Sequence, residues 1–217
     1  EVTEDFEKMA AMHPSEKPYL KTGVLRLALN RIPWLMILMV SAMITGGILG
    51  KYELALAAIP MLVTFIPMLT DTGGNAGSQS STLIIRGMAV NEISLKDFVK
   101  VLWKEMRVAL ITATALNIVN ALRLLLMYRN DPNCGLIILT LTVTLYATVI
   151  MANILGGTLP MLAKTIKLDP AIMASPLITT IVDALSLIVY MKAASYFLKL
   201  AESGVLQSAG TFLTSIF

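Results

Sequence analysis

The sequence predicts an all-α membrane protein with five transmembrane helices per chain. Of its 217 residues, 56% are hydrophobic and only 14% are charged, and the apolar residues are gathered into long runs. A soluble domain is usually about 45–50% apolar and about 25% charged. Each run, with short extensions, supplies the roughly 20 residues that cross the hydrocarbon core of a bilayer. We place these spans at about 32–50, 54–86, 98–128, 135–163 and 170–200, and together they form a pore domain over residues 32–200.

The segments at the two ends of the chain differ in composition from the spans. Residues 1–31 combine an acidic helical pattern, "EVTEDFEKMAAM", with a proline-containing linker and a basic lead into the first span. We interpret them as a cytoplasmic connecting helix and linker, and residues 201–217 as a short C-terminal tail. The start at Glu1 instead of Met suggests a fragment of a longer chain.

Lysine and arginine favour a cytoplasmic N-terminus. With that orientation most of the 17 basic residues fall in cytoplasmic segments, as expected for a multi-pass protein of the cell membrane. Five spans then place the C-terminus outside. The net charge of +3 is explained by this topology, so a nucleic-acid partner is not predicted. The one cysteine, Cys134, cannot close an intrachain disulfide.

The second predicted span carries a polar stripe. Its members are four, four, three and four residues apart, so they share one helical face. They are Asp71, Asn75, Gln79, Thr82 and Arg86. Gly73 and Gly77 have the small-xxx-small spacing of close helix contacts on another face. Together with Gly74 they could instead loosen the helix and free backbone carbonyls.

The fifth predicted span repeats this spacing. The polar residues of its stripe are Ser175, Thr179, Asp183, Ser186 and Tyr190. Asp183 is the only charged residue between Pro170 and Met191. A charged side chain at the centre of a membrane helix costs roughly 2.5–3.5 kcal/mol on insertion scales, and such residues usually face a bundle interior or a water path. Asp183 is therefore a candidate cation ligand; the alternative is a structural hydrogen bond to a neighbouring helix.

Two further aspartates have structural alternatives as well. Asp71 lies beside the glycines, where an aspartate can bond to local backbone. Asp169 precedes Pro170, and Asp at N-cap with Pro at N1 is a favourable helix start. Both remain candidate cation ligands, since a carboxylate at the mouth of an ion path can also cap a helix.

The chemistry of the two stripes favours a hard cation. They contain carboxylates, amides and hydroxyls but no His, Cys or Met, which suits Mg²⁺, Ca²⁺ or Mn²⁺. A single Asp183 is a poor site for a divalent ion. Two chains around a two-fold axis would pair two Asp183 carboxylates, whose combined charge matches that of one divalent ion. Because Mg²⁺ keeps much of its water, the paired carboxylates and the Thr179 carbonyls could hold a hydrated ion.

Three segments resemble the MgtE family of magnesium channels. The segment "PMLTDTGGNAGSQSSTLIIRG" resembles the P-x-x-x-x-x-G-G-N-x-x-x-Q segment of that family's second membrane helix. The segment "DPAIMASPLITTIVDALSLIVY" resembles its fifth helix. The acidic "EVTEDFEKMAAM" and the following "PYLKTGVLRLALNRIPWL" resemble its connecting helix and first membrane helix. The resemblance covers essentially the whole chain, in order.

The resemblance implies a homodimeric, five-span channel whose pore lies on the dimer axis between the second and fifth helices. It implies that Asp183 is the central ion-binding carboxylate, with the Thr179 carbonyl nearby and Asp169 at the cytoplasmic mouth. Asp71 is carried as a further metal candidate. The residues expected to line the pore, from the resemblance and from the stripes, are Gly73, Gly74, Asn75, Gln79, Ser175 and Ser186.

The resemblance also implies regulation by Mg²⁺. In the family a connecting helix acts as a plug, and cytosolic cystathionine-β-synthase-type (CBS) domains sense intracellular Mg²⁺. Glu1, Glu4 and Asp5 match the acidic end of that helix, where regulatory Mg²⁺ can bind. The sensor domains are missing from this sequence, so they are expected partners only in a longer chain. Mg²⁺ is thus expected as the transported ion and as a candidate regulatory ligand.

The leading functional hypothesis is a Mg²⁺-selective channel for magnesium uptake, with a homodimer and membrane lipids as partners. The membrane potential would supply roughly 4.6 kcal/mol per 100 mV for a doubly charged ion. The alternative is a coupled divalent-cation carrier, such as a cation/H⁺ or Na⁺ exchanger. An enzyme is not predicted, because the H-E-x-x-H and G-x-S-x-G motifs are absent, although an Asp71–Asp183 pair could in principle be catalytic. A purely structural subunit is disfavoured by the two polar stripes.

Overall fold

The computed structural model describes residues 18–53, 57, 60–128, 130, 131, 133–173 and 175–202. This part of the chain contains long α-helices, short 3₁₀ helices and no β-strand. The helices are α1 (Val24–Lys51), α2 (Ile66–Ala89), α3 (Phe98–Tyr128), α4 (Cys134–Thr165) and α5 (Ser175–Glu202). The short 3₁₀ helices are Tyr19–Lys21, Pro60–Phe65, Leu95–Asp97 and Pro170–Met173.

Four of these helices are long and apolar enough to cross a membrane: α1, α3 with the turn before it, α4 and α5. The fold is therefore that of an all-helical membrane protein. Helix α2 does not reach the same apolarity, because its polar stripe interrupts it. Its 24 residues extend about 36 Å at 1.5 Å per residue, which is enough for a core of about 30 Å. A fifth crossing by α2 stays a prediction.

Helix α2 packs against α4 and α5, and α3 packs against α4. Helix α1 contacts α5 and has no buried residue, so it lies at the periphery of the chain. The largest apolar cluster joins the 3₁₀ segment Pro60–Phe65 and the start of α2 to α3, α4 and α5. Its bulkiest members include Leu62, Phe65, Leu69, Leu141, Leu145, Val149, Leu187, Tyr190 and Met191.

Glycines allow α2 to approach its neighbours closely. A Cβ atom on Gly73 would lie 2.6 Å from Thr148 Cγ2 of α4. One on Gly77 would lie 3.2 Å from the carbonyl oxygen of Ala152, and one on Gly156 would collide with the carbonyl oxygen of Gly77. The close contact predicted from the glycine spacing is confirmed. The alternative that the glycines loosen the helix is wrong, because α2 is α-helical without interruption from Ile66 to Ala89.

The beginnings of α3 and α5 use capping side chains. The Ser94 side chain accepts from the backbone N–H of Asp97, and Ser94 N donates to the Asp97 carboxylate at 3.2 Å, which forms a capping box before α3. Ser94 Oγ also donates to this carboxylate at 2.6 Å. Asp169 Oδ1 accepts a hydrogen bond of 2.9 Å from Ala171 N. Asp169 therefore caps the short 3₁₀ turn Pro170–Met173, and the α-helix proper begins after it, at Ser175.

Candidate cation site

Asp71 of α2 and Asp183 of α5 line the same cavity, a cleft of about 330 Å³ between the two helices. The structure thus brings together the two intramembrane carboxylates that the sequence singled out. The other residues that line this cleft are Pro67, Thr70, Gly74, Asn75 and Thr179. Every polar side-chain group of the cleft carries oxygen, and the amide of Asn75 is the one that also carries nitrogen.

The α2 side of the cleft belongs to a polar face that stays exposed in the single chain. All five members of the α2 stripe, from Asp71 to Arg86, are exposed, while Gly73, Gly77 and Ser80 on the opposite side are buried. This confirms that the stripe residues share one face. Gln79 lies on that face but not in the cleft, so its predicted contact with a pore stays a prediction.

The α5 side of the cleft depends on the missing side chain of Gly74. A Cβ atom there would lie 3.0 Å from Thr179 Cγ2 and 3.6 Å from Asp183 Oδ1. Glycine at this position therefore lets α5 bring both residues against α2. The Thr179 hydroxyl donates to the carbonyl oxygen of Pro176 at 3.0 Å, so it is held within the first turn of α5.

The polar stripe of α5 divides at Asp183. Ser186 and Tyr190, beyond it, are fully buried. Tyr190 Oη donates to the carbonyl oxygen of Leu62 at 2.8 Å, because the 3₁₀ segment Pro60–Phe65 covers this end of α5. Ser186 Oγ would lie 3.2 Å from a Cβ atom on Gly73. Ser186 and Gly73 thus lie in the contact between helices of one chain, and their predicted place along a pore stays a prediction.

Asp169 lies at a different cavity, of about 160 Å³. This cavity is formed by the end of α2, the last turn of α4 and the 3₁₀ turn before α5, and it includes Lys164. Its α2 residue Met88 is 17 positions beyond Asp71, or about 26 Å along the helix. Asp169 and Asp183 therefore belong to separate sites. Glu1, Glu4, Asp5 and the side chain of Ser175 lie outside the described residues.

A third membrane-helix carboxylate, Glu105 of α3, was missed by the sequence analysis. It is 7% exposed, and its Cγ would lie 3.1 Å from a Cβ atom on Gly157 of α4. The neighbouring Lys104 and Arg107 made this stretch look like a solvated helix end. Its spacing of four residues from both Val101 and Ala109, which are also buried, was the signal that it belongs to the packed face.

The described residues of one chain do not form a closed metal centre. No group of three or more His, Cys, Asp or Glu side chains among them is placed to hold a metal ion. Direct coordination of a divalent cation usually needs more protein ligands than two carboxylates, or several retained waters. The cleft can attract a hard cation by charge and can hydrogen-bond to its water.

Comparison with known proteins identifies relatives of this chain. Residues 66–193 match the MgtE family, described as a divalent cation transporter. The chain is 35% identical over 199 residues to the magnesium transporter MgtE of Thermus thermophilus and 31% identical over 198 residues to that of Bacillus subtilis. It is 28% identical over 199 residues to the magnesium transporter MgtE of Enterococcus faecalis. These alignments cover 92%, 91% and 92% of this chain but only 43%, 43% and 42% of the relatives, so it spans about two fifths of their length.

Proposed function

Because the chain belongs to the MgtE family of divalent cation transporters, we propose that it forms the membrane part of a Mg²⁺-selective channel for magnesium uptake. The observation that carries this proposal is the cleft in which Asp71 and Asp183 lie with Asn75 and Thr179. Oxygen ligands favour hard cations. The choice of Mg²⁺ among them is supported by the relatives, which are magnesium transporters.

A homodimer with the pore on its two-fold axis would explain the exposed polar face of α2. Asp71 and Arg86 mark the ends of this face, and both are exposed in the single chain. A charge in contact with lipid costs up to roughly 2.5–3.5 kcal/mol at mid-membrane, and less near a helix end. A second copy facing the first would shield these charges from lipid. The Asp71 and Asp183 carboxylates of both chains would then surround one ion path.

The size of the cleft supports a hydrated ion. Its cavity volume of about 330 Å³ is far above the roughly 10–15 Å³ that one water needs on the same measure. Mg²⁺ gives up its first-shell water reluctantly. Paired Asp183 carboxylates, with the Thr179 carbonyls, would accept hydrogen bonds from that water. Selectivity among cations would then depend on their charge and on how well the hydrated ion fits the pore.

The alternative within transport is a coupled carrier, and purified protein in proteoliposomes separates the two. A channel needs only the membrane potential, so Mg²⁺ influx is expected under an imposed inside-negative potential with no counter-ion gradient. Influx that appears only when a H⁺ or Na⁺ gradient is imposed would replace the channel with a carrier. Catalysis by the Asp71–Asp183 pair is disfavoured because the related proteins are transporters.

The dimer axis can be tested by disulfide cross-linking. With Cys134 replaced by Ser, a Gln79→Cys chain is expected to cross-link to a second copy under mild oxidation, since Gln79 lies on the exposed polar face of α2. The matched control is Ile118→Cys, which is 63% exposed on the outer side of α3. Equal cross-linking at both positions, or at Ile118→Cys alone, would contradict an axis beside α2.

The same proposal extends to the rest of the protein. We place the channel in the cell membrane with its N-terminus in the cytoplasm. The greater length of the relatives leaves room for the CBS-type sensor domain expected as a partner. Regulatory Mg²⁺ at Glu1, Glu4 and Asp5 is part of this extension, and its test is Mg²⁺-dependent inhibition of flux in the longer protein and in its triple alanine variant.

A further inference from the structure

The beginning of α3 carries a basic face that the ion path does not use. The three basic residues within α3 are spaced four and three positions apart, so they lie on one side of the helix. The basic face consists of these residues, Lys100, Lys104 and Arg107, and of Lys96 in the 3₁₀ turn before α3, with Trp103 beside them. All five are exposed, and Trp103 is 63% exposed. The part of this face within α3, from Lys100 to Arg107, extends about 10 Å along the helix at 1.5 Å per residue.

Little negative charge from the protein neutralises this face. Asp97 forms an ion pair with Lys100, with Oδ1 2.9 Å from Nζ. Glu105, the other nearby acid on α3, is 7% exposed and points into the packing against α4. No described carboxylate pairs with Lys104 or Arg107. The exposed face thus keeps an excess of positive charge that a negatively charged ligand can meet.

Beyond Arg107 the same side of α3 becomes an apolar surface. Helix α3 packs against α4, and its outer side is exposed among the residues that the structure describes. The exposed apolar residues that continue the face along the helix are Ile111 (74%), Ile118 (63%), Leu122 (58%) and Leu126 (75%). A basic end followed by an apolar surface has the polarity of a phospholipid molecule. Exposed tryptophan is typical of the level where headgroups meet acyl chains.

We propose that the basic face of α3 binds the headgroups of anionic phospholipids, with their acyl chains along the apolar outer side of the same helix. The charge bias of membrane proteins explains why basic residues lie at one side of the membrane. It does not explain their collection on one helical face beside a tryptophan. Arg107 can hold a phosphate with two parallel hydrogen bonds, and the lysines add point charges. The inference does not depend on which ion the protein transports.

The test compares lipid binding by the whole chain and by two matched variants in phosphatidylcholine nanodiscs that contain phosphatidylglycerol. The test variant is Lys100→Gln/Lys104→Gln/Arg107→Gln. The control variant, Lys51→Gln/Lys192→Gln/Lys199→Gln, loses the same charge from exposed positions elsewhere. Each basic side chain near an anionic surface contributes about 1 kcal/mol, or about fivefold in affinity. We expect affinity for phosphatidylglycerol to fall roughly 100-fold in the test variant and little in the control.

Three results would overturn the proposal: no enrichment of phosphatidylglycerol around the unmodified chain, equal loss in both variants, or equally strong binding of inorganic phosphate or of an acidic polypeptide. The last would assign the face to a soluble anion or to an acidic protein segment. A Lys100→Arg/Lys104→Arg variant keeps the charge and should keep the binding. Circular dichroism and size-exclusion profiles identify any variant that fails to fold, and the arginine variant then decides the outcome.

Discussion

The polar faces of α2 and α5 have the same residue spacing but different surroundings. On α2 the face is exposed over its whole length, from Asp71 to Arg86. Among the α5 side chains that the structure describes, Thr179 and Asp183 reach the cleft, and Ser186 and Tyr190 are fully buried. Equal spacing therefore places residues on one side of a helix, but the neighbouring segments decide which of them can meet an ion.

The buried half of the α5 face is anchored by one long-range hydrogen bond. Tyr190 Oη donates to the carbonyl oxygen of Leu62, which lies in the 3₁₀ segment before α2. A buried hydroxyl and a buried carbonyl each need a partner, so this bond satisfies both groups at once. It also ties α5 to the start of α2, on which Pro67, Thr70 and Asp71 of the cleft lie. The buried half of the α5 face thus anchors the two helices that form the cleft.

The largest expected effect separates Asp183 from Ser186, one turn apart on α5. In Asp183→Asn the charge that attracts the cation is lost, while size is kept. Two unit charges 4 Å apart interact by about 4 kcal/mol at an effective dielectric constant of 20, and about 1.4 kcal/mol is already tenfold. We expect Mg²⁺ flux in proteoliposomes to fall by more than about tenfold. Ser186→Ala should stay within about twofold; equal losses would mean that the two halves act as one path.

The next effect concerns the contact between α2 and α4, which leaves the polar face of α2 exposed. A side chain on Gly156 would collide with the carbonyl oxygen of Gly77, so Gly156→Leu should push α2 away from α4. Overpacking typically costs about 1–3 kcal/mol, and a backbone contact puts this change near the upper end. The measurement is thermal unfolding in detergent. Gly46→Leu, with no atom within 4 Å of its added Cβ, is the control; equal destabilisation of both would refute the role of the contact.

A smaller effect distinguishes two amides on the exposed face of α2. Asn75 lines the cleft and Gln79, one turn further, does not. Asn75→Ala removes a group that can hydrogen-bond to the water of a bound ion, worth about 0.5–1.5 kcal/mol. We therefore expect flux to fall about threefold to tenfold, against less than about twofold for Gln79→Ala. If the Gln79 variant lost as much flux, the ion path would extend along the α2 face beyond the cleft.

The smallest effect on Mg²⁺ flux is expected in the buried half of α5. Tyr190→Phe removes the hydrogen bond to Leu62 and leaves that carbonyl oxygen without its donor, which costs about 1–3 kcal/mol. We expect a lower midpoint of thermal unfolding with Mg²⁺ flux nearly unchanged in the folded fraction. Tyr196→Phe, at a position 63% exposed, should have no effect on either. A loss of flux at unchanged stability would instead assign Tyr190 to the ion path.

Several features of the site could be predicted from local sequence because they depend on helix period alone. The common face of Asp71, Asn75 and Gln79 follows from 3.6 residues per turn, as does the close contact at Gly73 and Gly77. The burial of Glu105 was missed because its charged neighbours, Lys104 and Arg107, indicate a solvated stretch of helix. The burial of Tyr190 was missed because its partner, Leu62, is 128 positions away in the chain.

The sequence by itself determined that this is a helical membrane protein of the MgtE family with two carboxylates on polar helix faces. Composition and period are enough for the membrane helices and their polar faces, because burying apolar surface and satisfying backbone hydrogen bonds in a membrane leave few alternatives to helices. The family follows from the similarity of its segments to MgtE sequences. Only the tertiary structure decided that Asp71 and Asp183 share one cleft, that Asp169 lies at another, and that Ser186 and Tyr190 are covered. These outcomes depend on how α2, α4 and α5 cross, which glycine contacts between residues distant in the chain determine.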